Sequence, residues 1–536
     1  MKEQSITRSF AILSIAGILA KLMSLLYVPV LKEVLGPEGL GIYFKVYDVF
    51  VFIYAVTNVG MQTAISKYVA ELAAVGNYKD AIRTFKISRT LLIIVGTICT
   101  AIMFLGAQGI ANITGNPNIV YGLMFLSPAI ITTCILATYK GYFQGRNQMK
   151  PVAIASLVEQ FVNVIISIAF AMVLMKYGPE IGSAGGTLGT SIGAVIAVGY
   201  LVYVYYIFKP EAEAKEKQDS SVKRVKPKKM MKILITYGLP ITLSAGLQNF
   251  GNLIDMANVS SRLAVAGFSS AKADELYGLL GQWRTLINVP MIFITSLCIA
   301  MLPVLSKANV LKDQISMKKN IKFSFRITYL VGIPSAIGLA VLAEEVYQYM
   351  YGDSTGYGMM VIGSMTVVLM ALVFVQNIVL QSINNFYYVV MTLIVGLTVK
   401  FFSNYILVAN PDINIYGAVI GFYLYFIIVI FLNNIKIKDV TKINIGHMKL
   451  LRKPLIASIY MGCGIALARF IISKMFVVAN FGTLIGLVYT GVLIIIGVLL
   501  YGQALLMLKA IKSEDIKSVS PGLYNRIPKK IKDKLQ

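Results

Sequence analysis

Residues 244–258 read SAGLQNFGNLIDMAN (Ser244–Asn258) and lie at the end of an apolar run, Ile233–Asn258. The stretch carries Gln248, Asn249, Asn252 and Asp255. At 100° per residue these four side chains fall within about 120° of arc on one helix face. The run is long enough to cross a hydrocarbon layer about 30 Å thick. A carboxylate inside such a layer costs about 2.5–3.5 kcal/mol on insertion scales. Asp255 is therefore expected to face a neighbouring helix or a wet cavity rather than lipid.

The rest of the chain repeats the pattern. Of its 536 residues, 57% are apolar and only 14% charged, and the mean hydropathy is +0.74. A soluble domain carries about 25% charged residues. Apolar runs predict an all-α, polytopic membrane protein of about fourteen spans. Six precede a charged linker: Phe10–Leu31, Gly41–Ile65, Ser88–Gln108, Ile119–Gly141, Pro151–Lys176 and Ala184–Phe208. Eight follow it: Ile233–Asn258, Leu280–Leu305, Ile321–Ala343, Tyr357–Gln381, Phe386–Val408, Ile415–Ile435, Leu455–Lys474 and Phe481–Leu508. The N-terminal apolar segment runs to Leu31 with no small-residue cleavage site, so it is expected to be retained as the first span.

Charge gives the orientation. With the N-terminus in the cytoplasm, 39 of the 49 Lys and Arg residues fall in inside segments and 5 in outside loops. This asymmetry is the positive-inside pattern. It places both termini in the cytoplasm of a cytoplasmic-membrane protein and explains the net charge of +25. The basic loops then lie against anionic membrane lipids, and no nucleic-acid partner is needed. The expected organisation is an N-lobe over 1–208, a basic linker over 209–232, a C-lobe over 233–436, two further spans over 437–508 and a basic tail over 509–536. Six spans per lobe permit a parallel repeat. Ser66–Arg89 alternates apolar and charged residues at helical spacing and is expected on the inner membrane surface.

Four other spans carry polar stripes. Span 1 has Ser14, Gly17, Lys21 and Ser24, and span 2 has Lys45 and Asp48 one turn apart, placed to pair. Span 5 has Ser156, Glu159, Gln160, Asn163 and Ser167, and span 8 has Arg284, Asn288 and Thr295. Lys21 lies mid-span with no carboxylate one turn away and is expected to face a cavity. Lys400 and Arg469 lack companion stripes and read as interface anchors. A lone Asn, Gln or Ser in such a helix is as often helix–helix glue, worth about 0.6 kcal/mol. The glycines of GSAGGTLGTSIGA read as close helix packing.

Neither a phosphate-cradling loop nor a zinc-protease motif is present: there is no GxxxxGK[ST] and no HExxH. The cysteines (Cys99, Cys134, Cys298, Cys463) are scattered in apolar runs, and the single histidine, His447, has no carboxylate beside it. The expectation is a transporter, not an enzyme, with no cofactor and no metal. Without a nucleotide site it draws on a coupling ion or the membrane potential, worth about 2.3 kcal/mol per charge per 100 mV.

Three motifs carry a resemblance: GYFQGRNQMKPVAIASLVEQFVNV (Gly141–Val164), LGPEGLGIY before and into span 2, and GLLGQWRTLINVP at the start of span 8. Together with the span count, the chain resembles the stage V sporulation protein B group of the multidrug/oligosaccharidyl-lipid/polysaccharide (MOP) exporter superfamily. That group includes the MurJ-type lipid II flippases. The resemblance implies two six-helix lobes in a V around a cationic cavity, with spans 13 and 14 forming a groove for the lipid tail. It implies alternating-access transfer of an undecaprenyl-pyrophosphate-linked saccharide across the membrane. Lys21 and Arg284 match cationic cavity positions of the family and would bind the pyrophosphate. Tyr27 and Tyr54 stand where family members carry arginines, so the cavity would be more aromatic and less cationic.

The expected cavity set is Lys21, Lys45, Arg284, Gln248, Asn249, Asn252, Tyr27 and Tyr54. Asp255, Asp48 and Glu159 are expected in ion or proton coupling or in charge pairing. A carboxylate repels pyrophosphate, so Asp255 is read as a partner of Arg284 or as an ion site. Peptidoglycan precursor, in vegetative growth or sporulation, is the leading substrate. Another undecaprenyl-linked glycan, a MATE-type cation-coupled drug exporter and a non-transporting scaffold are the alternatives.

Overall fold

The computed structural model describes residues 6–217, 224–475 and 482–510. Part of the basic linker (218–223), the stretch 476–481 and nearly all of the basic tail (511–536) lie outside the described residues. Among the described residues all regular structure is helical. The chain forms two compact units.

Unit 1 comprises Met1–Gly281 and Lys400–Ala418. Its helices are α1 (Ile6–Tyr54), α2 (Gly60–Ala74), α3 (Tyr78–Leu105), α4 (Ala107–Thr114), α5 (Val120–Leu126), α6 (Pro128–Gly145), α7 (Met149–Leu174), α8 (Pro179–Lys217), α9 (Pro227–Val265) and the first turns of α10 (Ser270–Val310). A π-helical turn, Ala55–Val59, joins α1 to α2. The apolar stretch Ile15–Ala74 is 60 residues long, about 90 Å of helix and far more than one crossing needs. It is broken at Gly36, whose φ of 69° and ψ of 176° leave the helical region. Glycine holds that φ without a Cβ clash, and the break separates the first two spans.

Close backbone approach explains the glycine-rich motifs. On α8, Gly185, Gly189 and Gly193 recur every four residues and face α7. A Cβ there would lie 2.7, 2.3 and 2.5 Å from the carbonyl oxygens of Phe170, Asn163 and Glu159. The two glycines of GYFQG do the same for α6 on α2. A Cβ at Gly141 or Gly145 would lie 2.9 Å from Gln62 O or 2.7 Å from Ser66 O. Between them, Gln62 Nε2 donates to Gln144 Oε1 at 3.2 Å.

Unit 2 comprises Gln282–Val399 and Val419–Gln536. It takes the remainder of α10, then α11 (Gln314–Val341), α12 (Ala343–Tyr351), α13 (Tyr357–Gly363), α14 (Thr366–Ser382), most of α15 (Phe386–Leu407), α16 (Tyr416–Thr441), α17 (His447–Met475) and α18 (Thr483–Met507). The two extra helices, α17 and α18, pack on α11 and α12 through a core of Leu342, Tyr349, Met461, Ile465, Tyr489 and Leu493. His447 ties the start of α17 to two neighbours. Its Nδ1 lies 2.9 Å from the Tyr329 hydroxyl and its Nε2 3.1 Å from Asn434 Oδ1.

Eleven described helices are long and apolar enough to cross a membrane, twelve with the pair α13 and α14, bent by 45°, taken as one span. The fourteen expected from sequence approximates this number. The difference comes from the first stretch, two spans fused across Gly36, and from α10, whose 41 residues are ample for a crossing. The units follow packing rather than the linker: α9 and the start of α10 group with α1–α8.

Gly189→Leu is expected to lower the unfolding temperature of the detergent-purified protein, because overpacking costs about 1–3 kcal/mol. Gly199→Leu, at a position where an added Cβ would meet no heavy atom within 4 Å, is expected to leave it unchanged.

Candidate functional site

Residues Ser244–Asn258 belong to the second half of α9, and one face of this segment is stitched to the end of α15. Asp255 and Lys400 are both fully buried and pair at 2.8 Å. Lys400 Nζ also donates to Gly251 O at 2.8 Å, and Asn404 Nδ2 donates to the second Asp255 oxygen at 2.7 Å. A turn further on, Asn258 Nδ2 donates to Phe401 O at 3.0 Å. Beyond it Arg262 Nε donates to Tyr405 O at 3.0 Å, with its guanidinium 3.9 Å from the Tyr405 ring centre. Lys400 is thus not an interface anchor. Inside a low-dielectric layer its ammonium is held by a carboxylate and a carbonyl. It supplies the cationic partner that the sequence pattern assigned to Arg284.

The other polar residues of the segment lie off this seam. Gln248, Asn249 and Asn252 are half-buried. Gln248 Nε2 donates to Ser244 Oγ at 3.4 Å and Asn249 Nδ2 to Ala245 O at 2.9 Å, both one turn back on their own helix.

Lys45 and Asp48 do not form the expected local pair. Each is buried and turned to the start of α10. Lys45 pairs with Asp274 and donates to Asn116 Oδ1 at 2.8 Å, while Asp48 accepts from the Tyr277 hydroxyl at 2.5 Å. Asn118 Nδ2 donates to the other Asp274 oxygen at 2.8 Å. Asp274 and Tyr277 stand three residues apart, so one helix face answers two α1 charges. The LGPEGLGIY motif permits the approach: a Cβ on Gly41 would lie 1.7 Å from Asp274 O. Lys45 is therefore a structural group, not part of an open cavity in this conformation.

Tyr27 is buried at 4% exposure. Its hydroxyl donates to Gly186 O at 3.2 Å, and its ring begins a ladder on α1. Successive centroids are 6.3 Å apart from Tyr27 to Tyr43, 4.9 Å from Tyr43 to Tyr47, 5.7 Å from Tyr47 to Phe50 and 6.0 Å from Phe50 to Tyr54. Tyr27 is packed rather than presented, whereas Tyr54 is half-buried. The α7 stripe faces the ladder. Tyr47 OH lies 2.6 Å from Thr190 Oγ1, Thr190 donates to Asn163 Oδ1 at 3.4 Å, and Ser167 donates to the same oxygen at 3.0 Å. One turn before Asn163, Glu159 pairs with Lys140 at 2.7 Å, both partly buried. Lys21 differs from these groups. It is exposed on α1 and makes no ion pair among the described residues.

Arg284, the remaining expected site residue, lies in unit 2 and is buried. Asn288 Nδ2 donates to Arg284 O at 2.8 Å, and Thr295 Oγ1 donates to Met291 O at 2.8 Å, so these two stripe residues bond to carbonyls of their own helix. Arg469, read as an interface anchor, is instead held by two carboxylates of α12, at 2.8 Å from Glu344 and 2.9 Å from Glu345. Burial pushes the Glu345 carboxyl above its ordinary range, and the Arg469 guanidinium opposes that shift. Among the described residues no group of three His, Cys, Asp or Glu is placed to hold a metal ion.

Residues 6–309 match the family described as polysaccharide biosynthesis protein. The chain belongs to the polysaccharide biosynthesis protein family. It is similar to the stage V sporulation protein B of Bacillus subtilis, with 26% identity over 83% of this chain and 86% of the relative. It is also similar to the lipid II flippase MurJ of that organism, with 22% identity over 75% of this chain and 77% of the relative. An inward-facing multidrug-resistance MATE transporter of the MOP superfamily superposes with a TM-score of 0.65, 16% identity, over 79% of this chain and 96% of that one. A MOP-superfamily transporter from Pyrococcus furiosus, described as having a binding pocket of reversed polarity, does so with a TM-score of 0.58 and 16% identity, over 82% of this chain and 98% of that one. The family member described here is thus a multi-pass membrane protein with the MOP-superfamily fold.

Sequence reasoning missed Lys400, Asn404, Asp274 and Tyr277 as partners. A signal existed for the first two: Lys400, Ser403 and Asn404 stand at i, i+3 and i+4 and share one face. Lys400→Met is expected to destabilise the protein by about 3–5 kcal/mol, the cost of orphaning a buried charge. Asp255→Asn in the same chain is expected to restore a large part of that loss. Thermal unfolding of the two single variants and the double variant in detergent measures the coupling.

Proposed function

We propose that this family member moves an undecaprenyl-pyrophosphate-linked saccharide from the inner to the outer leaflet of the cytoplasmic membrane by alternating access, with lipid II as the substrate. The family match carries the chemical class, because its relatives include a protein named as a lipid II flippase. Lys21 is the observation in this chain that supports an anionic cargo. The intramembrane cations Lys45, Lys400 and Arg469 are each held by carboxylates, whereas Lys21 is exposed within an apolar span. An ammonium placed so is stable in a wet cleft and presents a charge partner to a pyrophosphate.

In this reading both termini are cytoplasmic, and residues 1–208 and 233–436 act as the two lobes. Transport draws on an ion gradient or the membrane potential. Half-buried Tyr54, Gln248, Asn249 and Asn252 supply rings and amides for the saccharide. The buried pairs of Lys45, Asp48 and Asp255 hold the helices that carry them.

Expression of this protein is expected to restore growth to a strain depleted of its lipid II flippase, with labelled lipid II returning to the outer leaflet. Failure to restore it at normal membrane levels would contradict the lipid II assignment. Lys21→Ala is expected to abolish rescue at unchanged membrane level, and Lys21→Arg to retain it. Immunoblots of the membrane fraction separate loss of function from loss of protein.

A further inference from the structure

We propose that the groove between the starts of α3 and α9 is a binding site for one anionic phospholipid of the inner leaflet. The leaflet assignment rests on the orientation proposed above. The groove has a volume of about 340 Å³ and is lined by Lys86, Ile87, Thr90, Leu91 and Ile94 of α3 and by Met231 of α9. It lies wholly within unit 1.

Both walls carry the same pattern from their starts upward. On α3, Arg83, Lys86, Ile87, Thr90 and Ile94 fall within about 100° of arc. On α9, Lys228, Met231, Lys232, Ile235 and Leu239 do so as well. Each wall is thus cationic at its first turns and apolar beyond. Arg83, Lys86, Lys228 and Lys232 are exposed, and none of them is paired with a carboxylate among the described residues. A phosphate at the helix starts and an acyl chain along the apolar stripe match that order of chemistry. A neutral headgroup would leave the cations unanswered.

The groove is held open by a fixed junction. The Val225 N–H donates to Asp80 Oδ2 at 2.8 Å, and Arg224 Nη1 donates to Asn77 Oδ1 at 3.2 Å. Asp80 is fully buried, and Asn77 caps the start of α3 by accepting from the Asp80 backbone N–H at 3.1 Å. Deeper in, Thr84 Oγ1 meets the sulfur of fully buried Met230 at 3.9 Å. The two basic helix starts are therefore pinned side by side, which a diffuse attraction to the leaflet does not require.

The test is a titration of delipidated full-length protein with phosphatidylglycerol in neutral detergent, read by native mass spectrometry. The wild type is expected to take up one phosphatidylglycerol and to bind phosphatidylcholine far more weakly. Lys86→Gln/Lys228→Gln is expected to lose about 30-fold in affinity, from about 1 kcal/mol per ammonium near a membrane surface. Ile94→Trp, which fills the groove without touching charge, is expected to weaken binding too. Lys312→Gln/Lys318→Gln, in another basic loop, is expected to leave it unchanged. Equal binding by the Lys86/Lys228 variant, an equal loss in the control, or equal uptake of phosphatidylcholine would each overturn the site. Labelling of Lys86→Cys by an impermeant maleimide tests the leaflet separately. Modification only after permeabilisation supports the inner leaflet, and modification in intact cells overturns it and the orientation together.

Discussion

A charge taken into hydrocarbon must be answered by another group, and this constraint organises unit 1. The Asp255–Lys400 pair meets it most fully: both side chains are sealed, and Gly251 and Asn404 take up further donors and acceptors. The partners sit on α9 and the last turns of α15, and the pair ties these two segments together within unit 1. The Lys45–Asp274 pair ties α1 to the first turns of α10, within unit 1. Pairs of this kind are costly to break and cheap to replace together.

Against that background the exposed Lys21 has a different standing. It is in an apolar span, yet no carboxylate holds it among the described residues. The aromatic ladder from Tyr27 to Tyr54 and the hydroxyl–amide chain through Thr190 and Asn163 fix α1 only beyond it, from Tyr27 onward. An exposed cation in an apolar span suits binding of a charged headgroup. The basic starts of α3 and α9 meet phosphate chemistry at the membrane surface in the same unit.

Much of this was legible in the sequence. Apolar run lengths revealed the spans, and the glycines in GSAGGTLGTSIGA signalled close helix packing, for which the structure supplies the partner, α7, at Gly189. Local pattern failed where partners come from distant parts of the chain. Asp48 sits one turn from Lys45, and the pairing rule for neighbouring turns joins them. The start of α10, 229 residues on in sequence, offers Asp274 and Tyr277 in better-sealed positions. Lys400 looked isolated because its companion, Asp255, lies on another helix. A stripe shows which face is polar, and only the fold shows what meets it.

The central claim is tested most directly in proteoliposomes carrying the purified protein and a fluorescent undecaprenyl-pyrophosphate-linked saccharide, with an imposed membrane potential. Quenching by a membrane-impermeant reagent reports movement between leaflets. The account predicts transfer well above protein-free vesicles, reduced to background by Lys21→Ala in vesicles of equal protein content. Transfer no faster than in protein-free vesicles, or equal in wild type and Lys21→Ala, would contradict it.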